Sequence, residues 1–205
     1  MSFAPAITDV TIGFLVLAPA SEKQSVDDGF GSGSMKDNRD SEDERPFSRY
    51  RYRLEHCTLE RLLQWNEALA MSAMLATMDP WRTLGYSADQ LARYMVRDDP
   101  GLYRYLVRIE DKPGGVIGVR YPWLRGATIE VIGVAATQQN NGLGSTLVEW
   151  LVQHTRGEAG NLWAVVSAFN SAARRFYAAR GFVEVATLPD LICAGYEEIL
   201  VRKQF

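Results

Sequence analysis

From Arg49 onward the apolar and polar positions run in two rhythms, and the changes of rhythm mark the elements. "RYRYRLEHC" (49–57) alternates aromatic and charged residues, the period-two pattern of a half-buried strand. Thr58 stands as the cap of a helix whose body is "LERLLQWNEALAMSAML" (59–75). Leu62, Asn66, Leu69 and Ala73 fall on one face of it, and Glu60 lies in its first turn, where the helix dipole favours negative charge. "DPWRTLGY" (79–86) reads as a loop. Ser87 and Gln90 have the S-x-x-Q spacing of a capping box, which opens a second helix at "LARYMV". Strands follow at 102–109, at 115–123 after a turn at "DKPGG", and at 127–136. The turn "QQNNGLG" (138–144) leads into an amphipathic helix that runs to about Arg156. "LWAVVSAF" (162–169) predicts a strand. "NSAARRFYAAR" (170–180) predicts a helix with Asn170 as N-cap and Gly181 just past its end, where a left-handed backbone is needed. "FVEVATL" and "YEEILVRK" close the chain as strands. Meandering strands followed by one β-α-β-α unit predict an α+β fold, a mixed sheet with helices packed on it, rather than a doubly wound parallel sheet.

Composition separates residues 1–46 from this pattern. Between Ser21 and Arg45 Gly, Ser and acidic residues dominate, which predicts a disordered or loosely ordered N-terminal extension, with a single domain over 47–205. Met35 lies inside the extension and offers a second start of translation. "TIGFLVLAPA" (11–20) has the length of a signal-peptide core, but no Lys or Arg precedes it and Asp9 does, which argues against secretion. Charge divides at the same border. Residues 1–45 carry 4 basic and 9 acidic side chains, and the remainder carries 18 and 16. Neither half is a basic nucleic-acid footprint, and no stretch is apolar for long enough to span a bilayer, so neither nucleic acid nor membrane is an expected partner. Cys57 and Cys193 match no metal or redox spacing, and with only His56 and His154 beside them no metal site is expected. A reducing, cytoplasmic setting is the simplest reading.

The glycine turn carries the first candidate chemistry. A strand, a glycine-rich turn and a helix start form an anion site, because unpaired N–H groups and the positive end of the helix dipole face outward together. The third glycine of a dinucleotide fingerprint is missing, since position 147 is Leu, and no P-loop lysine follows. What remains is Gln139-x-x-Gly142-x-Gly144. Some 30 residues on, the chain reads Asn170, Ala173, Tyr177, Gly181 and Phe182.

With these two motifs the chain resembles the GNAT superfamily of acyl-CoA-dependent N-acetyltransferases. That family carries [QR]-x-x-G-x-[GA] after a strand and then N-x-x-A-x-x-x-Y-x-x-x-G-F. The resemblance covers residues 47–205 in element order and is strongest over 127–205. It implies a mostly antiparallel sheet of six to seven strands flanked by about four helices. It also implies transfer of an acetyl group from acetyl-CoA to a primary amine, either a protein N-terminus or lysine or a small amine. The alternative is a non-catalytic acyl-CoA-binding or interaction module on the same fold. The pyrophosphate of coenzyme A would lie on Gln139, Asn140, Asn141, Gly142, Leu143 and Gly144, with Ser145. The pantetheine arm would pair with the preceding strand at Ile132 and Val134 and meet Asn170. Many members of the superfamily are homodimers, which makes a homodimer the implied assembly.

Acyl transfer from a thioester needs a neutral amine, donors for the oxyanion and a proton for the leaving thiolate. Neutralising a lysine-like amine at pH 7 costs roughly 4–5 kcal/mol unless a base helps. The resemblance gives the oxyanion to the backbone N–H of Val134 and the thiolate's proton to Tyr177. Glu130 is the only carboxylate on the strand before the glycine turn and becomes the candidate base. Strict alternation places it on one face with Thr128, Ile132 and Val134. Trp81 and Tyr86, in the connection between the first two helices, are expected to border the acceptor.

Overall fold

A single sheet gathers every strand among the described residues. The structure, a computed structural model, describes residues 12–13, 46–62 and 64–205. The rest of the expected N-terminal extension, Met35 included, lies outside the described residues. The elements are β1 (Ile12–Gly13), β2 (Arg51–Arg53), β3 (Thr58–Arg61), α1 (Trp65–Ala76), α2 (Ala88–Val96), β4 (Leu102–Ile109), β5 (Lys112–Trp123), β6 (Gly126–Val134), a short 3-10 turn (Ala136–Gln138), α3 (Leu143–Arg156), β7 (Asn161–Ser167), α4 (Ser171–Ala178), β8 (Val183–Pro189) and β9 (Glu197–Gln204). The sheet order is β2-β3-β4-β5-β6-β7-β9-β8, with β1 added on β6. Every pairing is antiparallel except β6 with β7. Helices α1 and α2 cover one face of the sheet around Leu75, Trp81 and Tyr94, and α3 and α4 cover the other around Leu147, Trp150 and Phe176.

Two sequence expectations hold atom for atom. The amide N–H of Gln90 donates to Ser87 Oγ at 3.2 Å while that of Ser87 donates to Gln90 Oε1 at 2.9 Å, closing the capping box of α2. Asn170 Oδ1 accepts the N–H of Ala173 at 3.0 Å, and Gly181 follows α4 with φ +79°.

The stretch after Cys57 departs from the expectation. Thr58 caps no helix; Thr58–Arg61 is a strand paired on both sides, with β2 and with β4. Leu59 is fully buried, and Glu60 ion-pairs with Arg51 of β2 and Arg108 of β4. These partners are distant in sequence, so tertiary pairing overrides local helix preference. Helix α1 therefore starts only at Trp65. Its inward face is Ala68, Met71, Ser72 and Leu75, whereas Asn66, Leu69 and Ala73 are exposed.

Two irregularities in β6 position everything that follows. The first is a bulge. Gly118 faces Val131 and Val119 faces Ile129, so Glu130 is an extra residue on the β6 side. One extra residue reverses the facing of every later side chain. Thr128 and Glu130 lie on the α1/α2 face, but Ile132 and Val134 lie on the α3/α4 face, contrary to strict alternation. The second is a fork. β6 and β7 pair from Gly126↔Asn161 to Ile129↔Ala164 and then part. Above the fork β1 takes the vacated edge of β6, with Ile12 opposite Ile132 and Gly13 opposite Val131.

Candidate active site

On the α3/α4 face the end of β6, the glycine turn and α4 enclose a cavity of about 270 Å³. Ile132, Val134, Gln139, Asn140, Gly142, Leu143, Gly144 and Ser145 all line it. The sequence named each of them. Asn141 faces an adjoining depression beside His56 and Thr146. Asn170 lines a third hollow, which Gln139 borders as well. The two glycines act differently. Gly142 is the N-cap of α3 at φ +82°, with open space where a Cβ would stand, so nothing screens the first amides of the helix. A Cβ on Gly144 would come within 3.1 Å of Phe176, so this glycine lets α4 close against α3.

Arg180 went unnoticed in the sequence. It lies on the wall of the same cavity, with its guanidinium 3.5 Å above the ring of Phe176. It donates to Phe176 O at 2.8 Å and to Ser145 Oγ, and its buried Nε has no partner among the described residues. Burial pulls its pKa down, a cost that a bound anion would reverse. The cation missing from the P-loop comparison is thus supplied 36 residues after Gly144 in sequence, from the far end of α4. An orphaned guanidinium donor, open helix amides and Ser145 suit a phosphate-bearing ligand.

The upper edge of β6 faces the fork, with β1 paired along it at Ile132 and Val131. The N–H of Ala135 goes to Gly114 O in β5, at 2.9 Å. Backbone groups alternate sides along a strand, so those of Val134 and Ile132 point away from β5 into the fork. Gln139 Nε2 donates to Val134 O at 3.0 Å. Tyr177 lies behind this edge, 1% exposed and packed edge-on between Phe176 and Phe182. Burial raises its pKa, so its phenol stays protonated.

The α1/α2 face is a room of side chains. Glu130 accepts from the hydroxyl of Tyr94 at 2.6 Å and from Arg120 Nε, one bond to each oxygen. Arg120 also grips Asp99 through two bonds, at 3.0 and 2.9 Å, and Asp99 pairs with Arg97. Below this network a cavity of about 430 Å³ is walled by Trp123, Leu124, Val165, Leu188, Leu191 and Leu200, with Glu130 and Thr128 reaching it from β6. Tyr86 is half-buried on this side, and burial and the charges of Cys193 and Glu198 raise its pKa. Trp81 is 1% exposed, sealed in the core beside Gly133 instead of lining a cavity.

The sequence also missed Glu198, on β9. It is fully buried and takes one hydrogen bond, from Ser167 Oγ to Oε1 at 3.0 Å, while Oε2 has no partner among the described residues. Burial lifts its pKa from 4.5 to about 7. Among the described residues no three His, Cys, Asp or Glu side chains gather as a metal site, and no helix is long and apolar enough to cross a membrane.

The mixed sheet thus forks beside a glycine-capped helix, with a phosphate-suited cavity on one face and an apolar room on the other. Residues 46–182 match the Acetyltransferase (GNAT) family, and the chain belongs to that family. No curated protein matches it. Its fold is shared with an acetyltransferase from Thermus thermophilus (18% identity, 75% of this chain and 100% of that one, TM-score 0.59). It is also shared with a Salmonella typhimurium acetyltransferase described as modifying the N-terminal serine of a 50S ribosomal subunit protein (13%, 74% and 96%, TM-score 0.58). A spermidine N-acetyltransferase from Vibrio cholerae has the fold as well (17%, 74% and 95%, TM-score 0.55).

Proposed function

We propose that this chain transfers an acetyl group from acetyl-CoA to a primary amine. The observation that carries the reading is the continuity of three features. The open amides of α3 and the Arg180–Ser145 pair form an anion cradle, it adjoins the fork-facing backbone edge at Ile132 and Val134, and that edge runs down the fork towards an apolar cavity on the opposite face. Acetyl-CoA would supply an activated acyl thioester. The glycine turn, Ser145 and Arg180 would hold its phosphates, and Ile132, Val134 and Asn170 its arm. The inward N–H of Val134 would donate to the oxyanion. Tyr177, kept protonated by burial, would give the leaving thiolate its proton.

The acceptor would occupy the apolar room under Glu130. Arg97 and Arg120 are balanced there by Asp99 and Glu130, so the walls offer no net negative charge to a polycation. The room suits an amine on an apolar body better than a polyamine. Cys57 and Cys193 are both free thiols, and we place the reaction in the cytoplasm.

Calorimetric titration with acetyl-CoA, followed by an amine screen, tests the reading. Saturable binding, with acetyl transfer to at least one amine, is the expected result. Absence of binding to acetyl-CoA and to free CoA would remove it.

A further inference from the structure

The acceptor amine must lose a proton before it attacks, and the carboxylate expected from the sequence is badly placed to take it. Both oxygens of Glu130 are engaged, by Tyr94 and by Arg120. Those two donors hold the carboxylate against Tyr94 and Arg120 and leave neither oxygen turned free towards an acceptor amine. Its role fits the architecture of the room better than the chemistry.

A second buried carboxylate, on β9, lies on this face. Glu198 is paired across the sheet with Ser167 on one side and with Leu188 on the other. Cross-strand partners share a face, and so do residues two apart along a strand. Leu188, Leu200 and Val165 all line the acceptor cavity, so Glu198 lies on the sheet face that walls it, one step beyond Val165 and Leu200 towards the fork. Its height can be counted. The last paired residue of β7 below the fork is Ala164, opposite Ile129, and Ser167 is three residues further on. With Glu130 an extra residue, the β6 position three levels above Ile129 is Gly133, between Ile132 and Val134, which both line the anion-side cavity from the opposite face. Glu198 therefore stands across the fork at the level of the Ile132–Val134 edge.

We propose that Glu198 is the proton acceptor of the acetyl transfer, using its unpartnered Oε2, with Ser167 as the positioning residue that holds Oε1. The inference rests on the transfer reading above. The ammonium of an acceptor seated in the cavity gives one proton to Oε2. The freed amine attacks the thioester carbon, forming a C–N bond. As the tetrahedral adduct collapses, the C–S bond breaks, and the second nitrogen proton passes to the thiolate by way of Tyr177. Glu198 then releases its proton to solvent. The proton count closes: one ammonium and one thioester give one amide, one thiol and one proton. The surroundings suit the role. Ser167 of β7 donates, while Tyr86 from the α1–α2 connection lies within electrostatic reach of Glu198 and, in turn, of Cys193 from the β8–β9 connection. Among the described residues no cation pairs with Glu198. A carboxylate that titrates near neutrality is suited to this work.

The test is the pH dependence of kcat/KM for the wild type and for Glu198→Gln, Glu130→Gln and Ser167→Ala, on an alkylamine and on an aromatic amine that is already neutral at pH 7. Calorimetric acetyl-CoA binding and melting curves check that each variant is folded. The wild type should show an acidic limb near pH 7. Glu198→Gln should lose that limb and fall about 100-fold at pH 7 on the alkylamine, its residual rate rising with the amine's own ionisation. On the aromatic amine the loss should shrink to a few-fold, which a purely structural role would not produce. Ser167→Ala should move the limb alkaline, because the hydroxyl's bond favours the ionised form. Glu130→Gln should leave the limb in place. Retention of the rate and limb by Glu198→Gln in an active enzyme would overturn this proposal alone. A wild type that binds acetyl-CoA yet acetylates no amine would overturn the transfer reading and this proposal with it.

Discussion

The two faces of β6 are equipped to hold a ligand by different means. Above the bulge, on the α3/α4 face, the groups on offer to a ligand are backbone amides: those at the start of α3, and those of Ile132 and Val134. Below it, on the α1/α2 face, they are side chains drawn from five strands and the connections around them, Arg97, Arg120, Glu130, Val165, Leu188 and Leu200 among them. A backbone site needs a particular local conformation, and local conformation is written in short motifs. A side-chain room needs only that distant residues converge. The first kind of site therefore constrains the sequence tightly and the second loosely.

Substitutions can break this contrast, beginning with the strongest. Gly142→Trp fills the space in front of the α3 amides and forces an indole onto a residue at φ +82°; acetyl-CoA affinity should drop by more than 100-fold in a calorimetric titration. Tyr177→Phe should reduce kcat by about 100-fold and leave acetyl-CoA affinity within two-fold, since a general acid contributes to turnover and not to cofactor binding. Arg180→Ala should weaken acetyl-CoA binding by roughly 10- to 100-fold, the range expected for one charge-assisted hydrogen bond, with the loss diminishing at high salt. Turning to the side-chain face, Glu130→Gln should lower stability by about 1–3 kcal/mol, because Arg120 keeps Asp99 but loses its second anion; denaturant melts would read this.

The smallest effect concerns Glu198 and pH. The native chain holds that proton up to about pH 7, whereas the ordinary carboxylate value is 4.5. Between those values the native state binds the more protons. The stability owed to this group is therefore complete below about pH 4.5 and declines as pH rises to about 7. Glu198→Gln should flatten that slope. A melt series from pH 4.5 to 8 giving parallel slopes for the two proteins would show that Glu198 is not the buried titrating group.

The same contrast explains what the sequence disclosed. Gly142, Gly144 and Asn170 were legible because a left-handed turn, a close helix approach and an N-cap each demand a narrow set of residues. The capping box at Ser87 and Gln90 was legible for the same reason. Arg180 was not: one arginine among several in "NSAARRFYAAR" carries no mark until α4 folds against Ser145. Glu198 sits in "YEEILVRK", where strand alternation alone gives no hint that one of two adjacent glutamates is sealed from water. The strand at Thr58–Arg61 was misread because its reasons to be a strand, Arg108 and the edge of β4, lie more than 40 residues away. The bulge at Glu130 is a property of the pairing between β5 and β6, and no rhythm within β6 announces it.

An edge that recognises backbone is indifferent to what kind of molecule presents it. Ile12 and Gly13 already lie along β6 at Ile132 and Val131, the stretch assigned to the pantetheine arm. Any ligand that pairs there competes with a tethered rival, present at an effective concentration set by the length of chain between Gly13 and Pro46 and not by the amount of protein in solution. Under the proposed function, the affinity for acetyl-CoA would then be the intrinsic affinity multiplied by the fraction of molecules in which that edge is free. Dilution cannot relieve such a rival, whereas cleavage of the tether can.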